Sequence, residues 1–218
     1  MAQDPGELFD VCDQDGRPLG VQKPRGLVHR DGDWHRSIHV WVVLGPPQEP
    51  LVLFQQRAFA KDTWPGALDV AVTGHLSAGE TSTDALREAD EEIGLVLRAE
   101  DVRRLGLRKR ADEHAPGILD RELQEIFGVV ATQHLGAFRP AAAEVTCLVA
   151  LPFEGVGALF RREQSSVRGT KLSPGGAIEE VHDVTLRAFI PDADGYYARA
   201  HESLRALLRG QSPPAWTL

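Results

Sequence analysis

The sequence predicts an α/β fold in a single domain of 218 residues, a mixed β-sheet between helical layers with an extra hairpin at the N-terminus. Three observations carry this expectation. Short apolar runs rich in β-branched and aromatic residues recur along the chain. A few segments carry helical periodicity instead. The two kinds alternate irregularly, without an internal repeat or a low-complexity linker.

In chain order, residues 7–23 read as two strands around the turn signal Asp13-Gln14-Asp15-Gly16, a hairpin unit reaching to about residue 30. Residues 37–44 (SIHVWVVL) and 51–56 (LVLFQQ) are β-rich and joined by the Pro-containing stretch 45–50, a second hairpin. Residues 68–73 form a further strand that leads into a helix at about 82–93. Residues 123–131 and 145–151 complete the predicted sheet, and a short helix follows at about 154–163. The Ser/Gly/Pro-containing stretch 164–177 is expected to be a mobile loop. The last helix, at about 195–209, carries Tyr197, Ala200, Leu204 and Leu207 on one stripe and ends before Gly210. Trp216 near the terminus suggests an interface, a homodimer among the options.

Composition narrows the classes of function. The chain is 42% hydrophobic and 26% charged, as globular domains are. Its net charge of −8 and pI near 5.5 argue against a nucleic-acid-binding surface. An anionic substrate must therefore be held by local Arg, Lys and metal. Cys12 and Cys147 lack metal-ligand spacing, so reduced thiols are the default, a single bridge between them the alternative. No apolar run is long enough for a membrane span, and the acidic N-terminus lacks a signal-peptide pattern. The expectation is a cytoplasmic protein.

The most informative segment is 74–95, GHLSAGETSTDALREADEEIGL. On a helix, Glu88, Glu91 and Glu92 stand at i, i+3 and i+4, so their carboxylates share one face. Like charges at that spacing oppose the helix, and a cation on the face reverses the sign. Three hard oxygen donors suit Mg²⁺ or Mn²⁺ better than zinc.

Gly74, Glu80, Arg87, Glu88, Glu91, Glu92, Gly94 and Leu95 together resemble the Nudix hydrolase box. That resemblance implies an α/β/α sandwich and cleavage of a diphosphate linked to another group X. It also implies Glu88, Glu91 and Glu92 as metal ligands, with the Gly74 carbonyl, and Glu80–Arg87 as a supporting ion pair. One departure stands out: six residues separate Glu80 from Arg87, where the family usually has seven. Thr81-x-x-Asp84 looks like a capping pair, which places the deletion in the loop before the helix and keeps the three ligands in register.

Around the box, His29, Trp34-His35-Arg36, His39-Val40-Trp41, Lys61-Asp62-Thr63-Trp64-Pro65-Gly66, Gly74-His75-Leu76-Ser77-Ala78-Gly79 and Asp120-Arg121-Glu122 resemble the isopentenyl-diphosphate-isomerase-like branch of the family. Isomerases bind a metal through three histidines and two carboxylates. By position these map onto His29, His35, His75, Asp120 and Glu122, a candidate second metal site centred on His35, His75 and Glu122. Isomerases also need a Cys immediately before the Gly-His pair, and this chain has Thr73 there, whose hydroxyl offers no accessible anion near neutral pH.

Glu144, just before the 145–151 strand, is the candidate general base, with an exposed loop end as the competing reading. Arg57 and Lys61 are candidate phosphate ligands, each reading also as a surface cation, Lys61 the more so. His39, inside an apolar strand, reads as a packed core residue, while His29 and His35 flank the Asp31-Gly32-Asp33 turn and read also as its supports. Trp34, Trp41 and Trp64 read as core or pocket wall. The sequence thus points to a divalent-metal-dependent pyrophosphohydrolase acting on a small diphosphate, with an isoprenoid diphosphate isomerase and a catalytically silent nucleotide sensor as alternatives.

Overall fold

The computed structural model of the chain describes residues 6–61, 63–115 and 118–218; Asp62 of the 61–66 motif lies outside them. The N-terminal hairpin forms as β1 (Leu8–Cys12) and β2 (Pro18–Pro24). Asp13 Oδ1 accepts the amides of Asp15 and Arg17, both at 2.9 Å, and closes its turn. The remainder of the expected hairpin unit is helical instead. Residues Arg25–Asp31 coil into α1, and Val28 buries with Phe9 and Val11 of β1 in a small core of their own. Two turns of helix are too short for a periodicity to register.

The spine of the sheet is β3 (Trp34–Leu44). On one side it pairs antiparallel with β4 (Leu51–Arg57). On the other it runs parallel to β8 (Ile118–Val130), in register from Trp34 opposite Arg121 to Val43 opposite Val130. The strand expected at 68–73 is two: β5 (Leu68–Val70) pairs with β4, and β6 (Val72–His75) crosses to pair with β3. With β7 (Arg103–Ala115), β9 (Val145–Pro152), β10 (Val167–Leu172), β11 (Ile178–Val184) and β12 (Trp216–Thr217), the order is β11-β10-β9-β4-β3-β8-β7-β12.

Alternation along β3 divides the core into two layers, as a strand buried on both faces must. Val40 and Val42 pack with Leu86, Ala89 and Ile93, the apolar side of the box helix α2 (Arg87–Ile93). Trp41 and Val43 pack on the opposite face with Val156 and Leu159 of α3 (Phe153–Phe160), and with Tyr196, Ala200 and Leu204 of α4 (Tyr196–Leu208). The sheet therefore lies between helical layers, as expected. Among the described residues no helix is long and apolar enough to cross a membrane.

Three expectations need correction. The mobile loop at 164–177 contains β10, paired antiparallel with both β9 and β11. Strand β7 was not legible, because RRLGLRKRADEHA is dominated by charged residues and its pairing with β8 is what makes it a strand. Trp216 is not an exposed anchor for a partner. It joins β7 through β12, its indole Nε1 donates to Ser203 Oγ at 3.0 Å, and a Cβ at Gly106 would collide with its ring. Trp216→Ala is expected to cost about 2 kcal/mol and to lower the melting temperature by roughly 4–8 °C, read by thermal denaturation. An unchanged melting temperature would mean that the tail contributes nothing to the fold.

Candidate functional site

The capping pair forms, but the box helix proper begins at Arg87, later than the expected 82. Thr81 N donates to Asp84 Oδ2 at 2.8 Å and Asp84 N to Thr81 Oγ1 at 3.3 Å, closing a turn that leads through the 3₁₀ segment Asp84–Leu86 into α2. The helix ends at Gly94, whose left-handed φ of +69° lets its amide reach Asp90 O and that of Leu95 reach Ala89 O. The shorter loop has not separated Glu80 from Arg87. Arg87 Nε donates to Glu80 Oε1 at 2.8 Å and Nη2 to Oε2 at 3.2 Å, a two-point pair. Burial pushes the Glu80 carboxyl up, but hydrogen bonds from Arg87 and the Ser77 amide overcome it and hold its pKa below the ordinary value.

The helix carboxylates stand in graded burial. Glu92 is enclosed; its Oε2 accepts from Gln55 Nε2 at 3.0 Å and from Thr73 N at 3.1 Å. Burial pushes its pKa up to about 8. Glu88 leans on β6, where a Cβ at Gly74 would fall 2.6 Å from its Cδ, so only glycine fits that position. Its pKa is also raised, first by burial. Glu91 is mostly exposed, and Arg87 Nη1 lies between these two, 2.7 Å from Glu88 Oε1 and 3.2 Å from Glu91 Oε2. A guanidinium there marks the place where positive charge is wanted.

A second group converges beside it. Ligand atoms of His29, His35, His75 and Asp120 lie within 4.8 Å of one another. Glu122 joins them, 2.9 Å from His75 Nε2 and 4.0 Å from His35 Nε2. Helix α1 supplies His29, β3 supplies His35, β6 supplies His75, and β8 supplies both carboxylates. Phe9 stacks on His35 and His75, with centroids 5.3 and 4.8 Å away. The Nε2 atoms of all three histidines are buried without an aligned hydrogen bond. His35 Nδ1 lies 3.2 Å from the Asp33 carbonyl, which takes the ring proton and leaves the Nε2 lone pair facing the group. Burial holds His29 neutral, with a pKa near 4. Burial raises Glu122, but His75, His35 and His39 outweigh it and hold the carboxyl well below its usual range. Imidazole nitrogens and carboxylate oxygens in this geometry suit a divalent cation.

The helix carboxylates line a cavity of about 320 Å³ together with His75, Asp120 and Glu122 of the second group. Arg57 and Lys61 line it too, but neither is a surface cation. Arg57 donates to Thr63 O at 3.1 Å and to Asp69 Oδ2 at 3.4 Å. Lys61 is paired with Glu144, which is likewise a cavity residue and not an exposed loop end. His39 is a buried, hydrogen-bonded residue as expected, and burial pushes its pKa down to about 4. Trp41 is core and Trp64 pocket wall, while Trp34 is half-buried under Lys109. Cys12 and Cys147 are free and buried, and neither lines the cavity. Sequence reasoning missed Gln55, Arg108 and Tyr196. Gln55 sits in an apolar run where its amide was the only signal, and the other two come from elements far from the box.

Glu92 generates a pH prediction. Its ordinary pKa is 4.5 and its folded value about 8. Between these the folded protein holds a proton that the unfolded chain has released, so stability from this group falls as pH rises across that window. In EDTA, the melting temperature of the wild type is expected to fall from about pH 5 to about pH 8 more steeply than that of Glu92→Gln. Parallel pH profiles would show that Glu92 is ionised in the folded state throughout.

Comparison with known proteins matches residues 33–162 to the NUDIX domain. Nudix hydrolase 3 of Arabidopsis thaliana is 50% identical over 92 residues, 42% of this chain and 12% of that protein. The isopentenyl-diphosphate Delta-isomerase of Clavibacter sepedonicus is 33% identical over 129 residues, 57% of this chain and 64% of that protein. The chain thus spans less than two thirds of the length of either relative. Among solved structures, DR0079 from Deinococcus radiodurans has a TM-score of 0.51 at 18% identity, covering 72% of this chain and 91% of that one, a likeness of fold alone. The domain match takes in the whole carboxylate helix and extends over more than half of the sequence, so this chain belongs to the Nudix family.

Proposed function

We propose that this protein is a divalent-metal-dependent pyrophosphohydrolase, cleaving the diphosphate bond of a nucleoside diphosphate linked to another moiety or of a related small diphosphate. The observation that carries this reading is the single cavity lined by Gly74, Glu88, Glu91 and Glu92 and by the cations Arg57 and Lys61. Glu88, Glu91 and Glu92, with the Gly74 carbonyl, would hold Mg²⁺ or Mn²⁺, and the histidine–carboxylate group would hold a second divalent ion. When bound, such ions neutralise charge on a diphosphate and lower the pKa of a bound water.

The chain's own groups do the rest. Glu80 fixes Arg87, which holds Glu88 and Glu91 in position. Gln55 and the Thr73 amide orient Glu92. A substrate phosphate that takes Lys61 from Glu144 frees that carboxylate to accept a proton from the attacking water, and Arg57 grips the same phosphate. The isomerase alternative is disfavoured at Thr73: its Oγ1 lies 3.4 Å from Gln55 Nε2, and no thiol lines the cavity. A silent sensor would bind a nucleotide without consuming it.

The test is product release from a panel of diphosphates, including isopentenyl diphosphate followed for isomerisation, with Mg²⁺, Mn²⁺ or EDTA. Metal-dependent cleavage is expected. Glu91→Gln and Glu92→Gln should each reduce turnover by at least about two orders of magnitude. Near-normal rates in both variants would overturn the metal assignment, and binding without turnover would favour the sensor.

A further inference from the structure

The deep end of the cavity holds an arrangement that diphosphate cleavage does not use. His39 lines the cavity, and its Nδ1 lies 2.8 Å from the Tyr196 hydroxyl. Trp41 Nε1, which can only donate, lies 2.8 Å from the same hydroxyl. With one lone pair taken by Trp41 and no other partner for its proton among the described residues, the Tyr196 O–H donates to His39 Nδ1. The imidazole proton then sits on Nε2, for which the described residues show no hydrogen-bond acceptor, and His39 is among the residues that line the cavity.

Tyr196 is itself placed with care. Asp192 accepts the amides of Tyr196 and Tyr197 at 3.0 and 3.2 Å and starts α4. Arg108 lies 4.3 Å from the Tyr196 ring centroid and is held by Asp194 through bonds of 2.7 and 2.9 Å. These residues of α4 and its approach lie beyond the family-matched span of 33–162. Asp69, paired to Arg57, and Gln124, near Arg108, add polar groups to this lining beside Ile190 and Tyr197. A hydrocarbon chain would leave the Nε2–H without a partner.

We propose that His39, locked as an Nε2–H donor by Tyr196 and Trp41, binds an oxygen of the group X, so that X is a sugar or nucleoside and not an isoprenoid chain. This rests on the diphosphate-cleaving reading for the placement of substrate. His39 is then a specificity residue, and Tyr196 a positioning residue that acts through it.

The experiment measures kcat and KM for ADP-ribose and for isopentenyl diphosphate with wild type, Tyr196→Phe, His39→Leu and His39→Gln. The wild type should favour ADP-ribose by at least about tenfold in kcat/KM. Tyr196→Phe and His39→Leu should each lower that preference about fivefold, mainly through the KM for ADP-ribose, the effect of losing one net hydrogen bond. His39→Gln, which retains an N–H donor, should recover part of the loss where a general packing defect would not. Equal or better use of isopentenyl diphosphate by the wild type overturns the proposal, as does an equal effect of both variants on both substrates. Should neither compound be cleaved, the hydrolase reading fails separately, and calorimetric binding of ADP-ribose decides. Weaker binding to Tyr196→Phe and His39→Leu supports the proposal; no binding to the wild type, or equal affinity in all variants, overturns it.

Discussion

The docking of strand β6 against the box helix is the contact on which the rest of this site depends. Three consecutive residues of β6 each take one part of it. The Thr73 amide holds Glu92, Gly74 admits the Glu88 side chain where any Cβ would collide, and His75 reaches Glu122. Because successive residues of a strand face opposite ways, one short strand serves the carboxylate helix and the histidine group together. The same strand pairs with β3 and so ties both groups to the buried spine of the sheet. A displacement of β6 by one residue would disconnect all three at once.

Charge placement follows from the same geometry. The protein is acidic overall, yet its cavity is lined by Arg25, Arg57, Lys61, Arg87, Arg108 and Arg110. Most of these cations are met by a carboxylate: Arg57 by Asp69, Lys61 by Glu144, Arg87 by Glu80, Arg108 by Asp194 and Arg110 by Asp112. Paired in this way, buried charges are tolerated. An anionic ligand competes with these internal partners one at a time, which makes recognition selective for where its negative charges sit.

The sheet places its two helical layers in different roles. The box-helix layer supplies carboxylates on a helix that is short and capped at both ends, Thr81 with Asp84 before it and Gly94 after it. The opposite layer, through α4, supplies no charge to the diphosphate end. It presents Tyr196 to its own face of β3, where His39 and Trp41 meet it. The carboxylate helix and the helix that carries Tyr196 thus pack in separate cores, which allows one to vary without repacking the other.

The sequence alone determined the box helix, its ends, the sharing of a face by Glu88, Glu91 and Glu92, and the α/β class. These depend on local spacing and on capping chemistry, which act within a few residues. The Glu80–Arg87 pair was implied only by the family resemblance, and the structure keeps it despite the shortened loop. Only the tertiary structure decided that His29 of α1 and His35 of β3 meet His75 and Asp120, that Lys61 is enclosed with Glu144, and that the charged segment 103–115 is a strand. It likewise decided that Trp216 closes the sheet on its own chain and that Tyr196 locks His39. Each of these joins residues far apart in sequence through sheet register, and register is set by the packing of the whole fold.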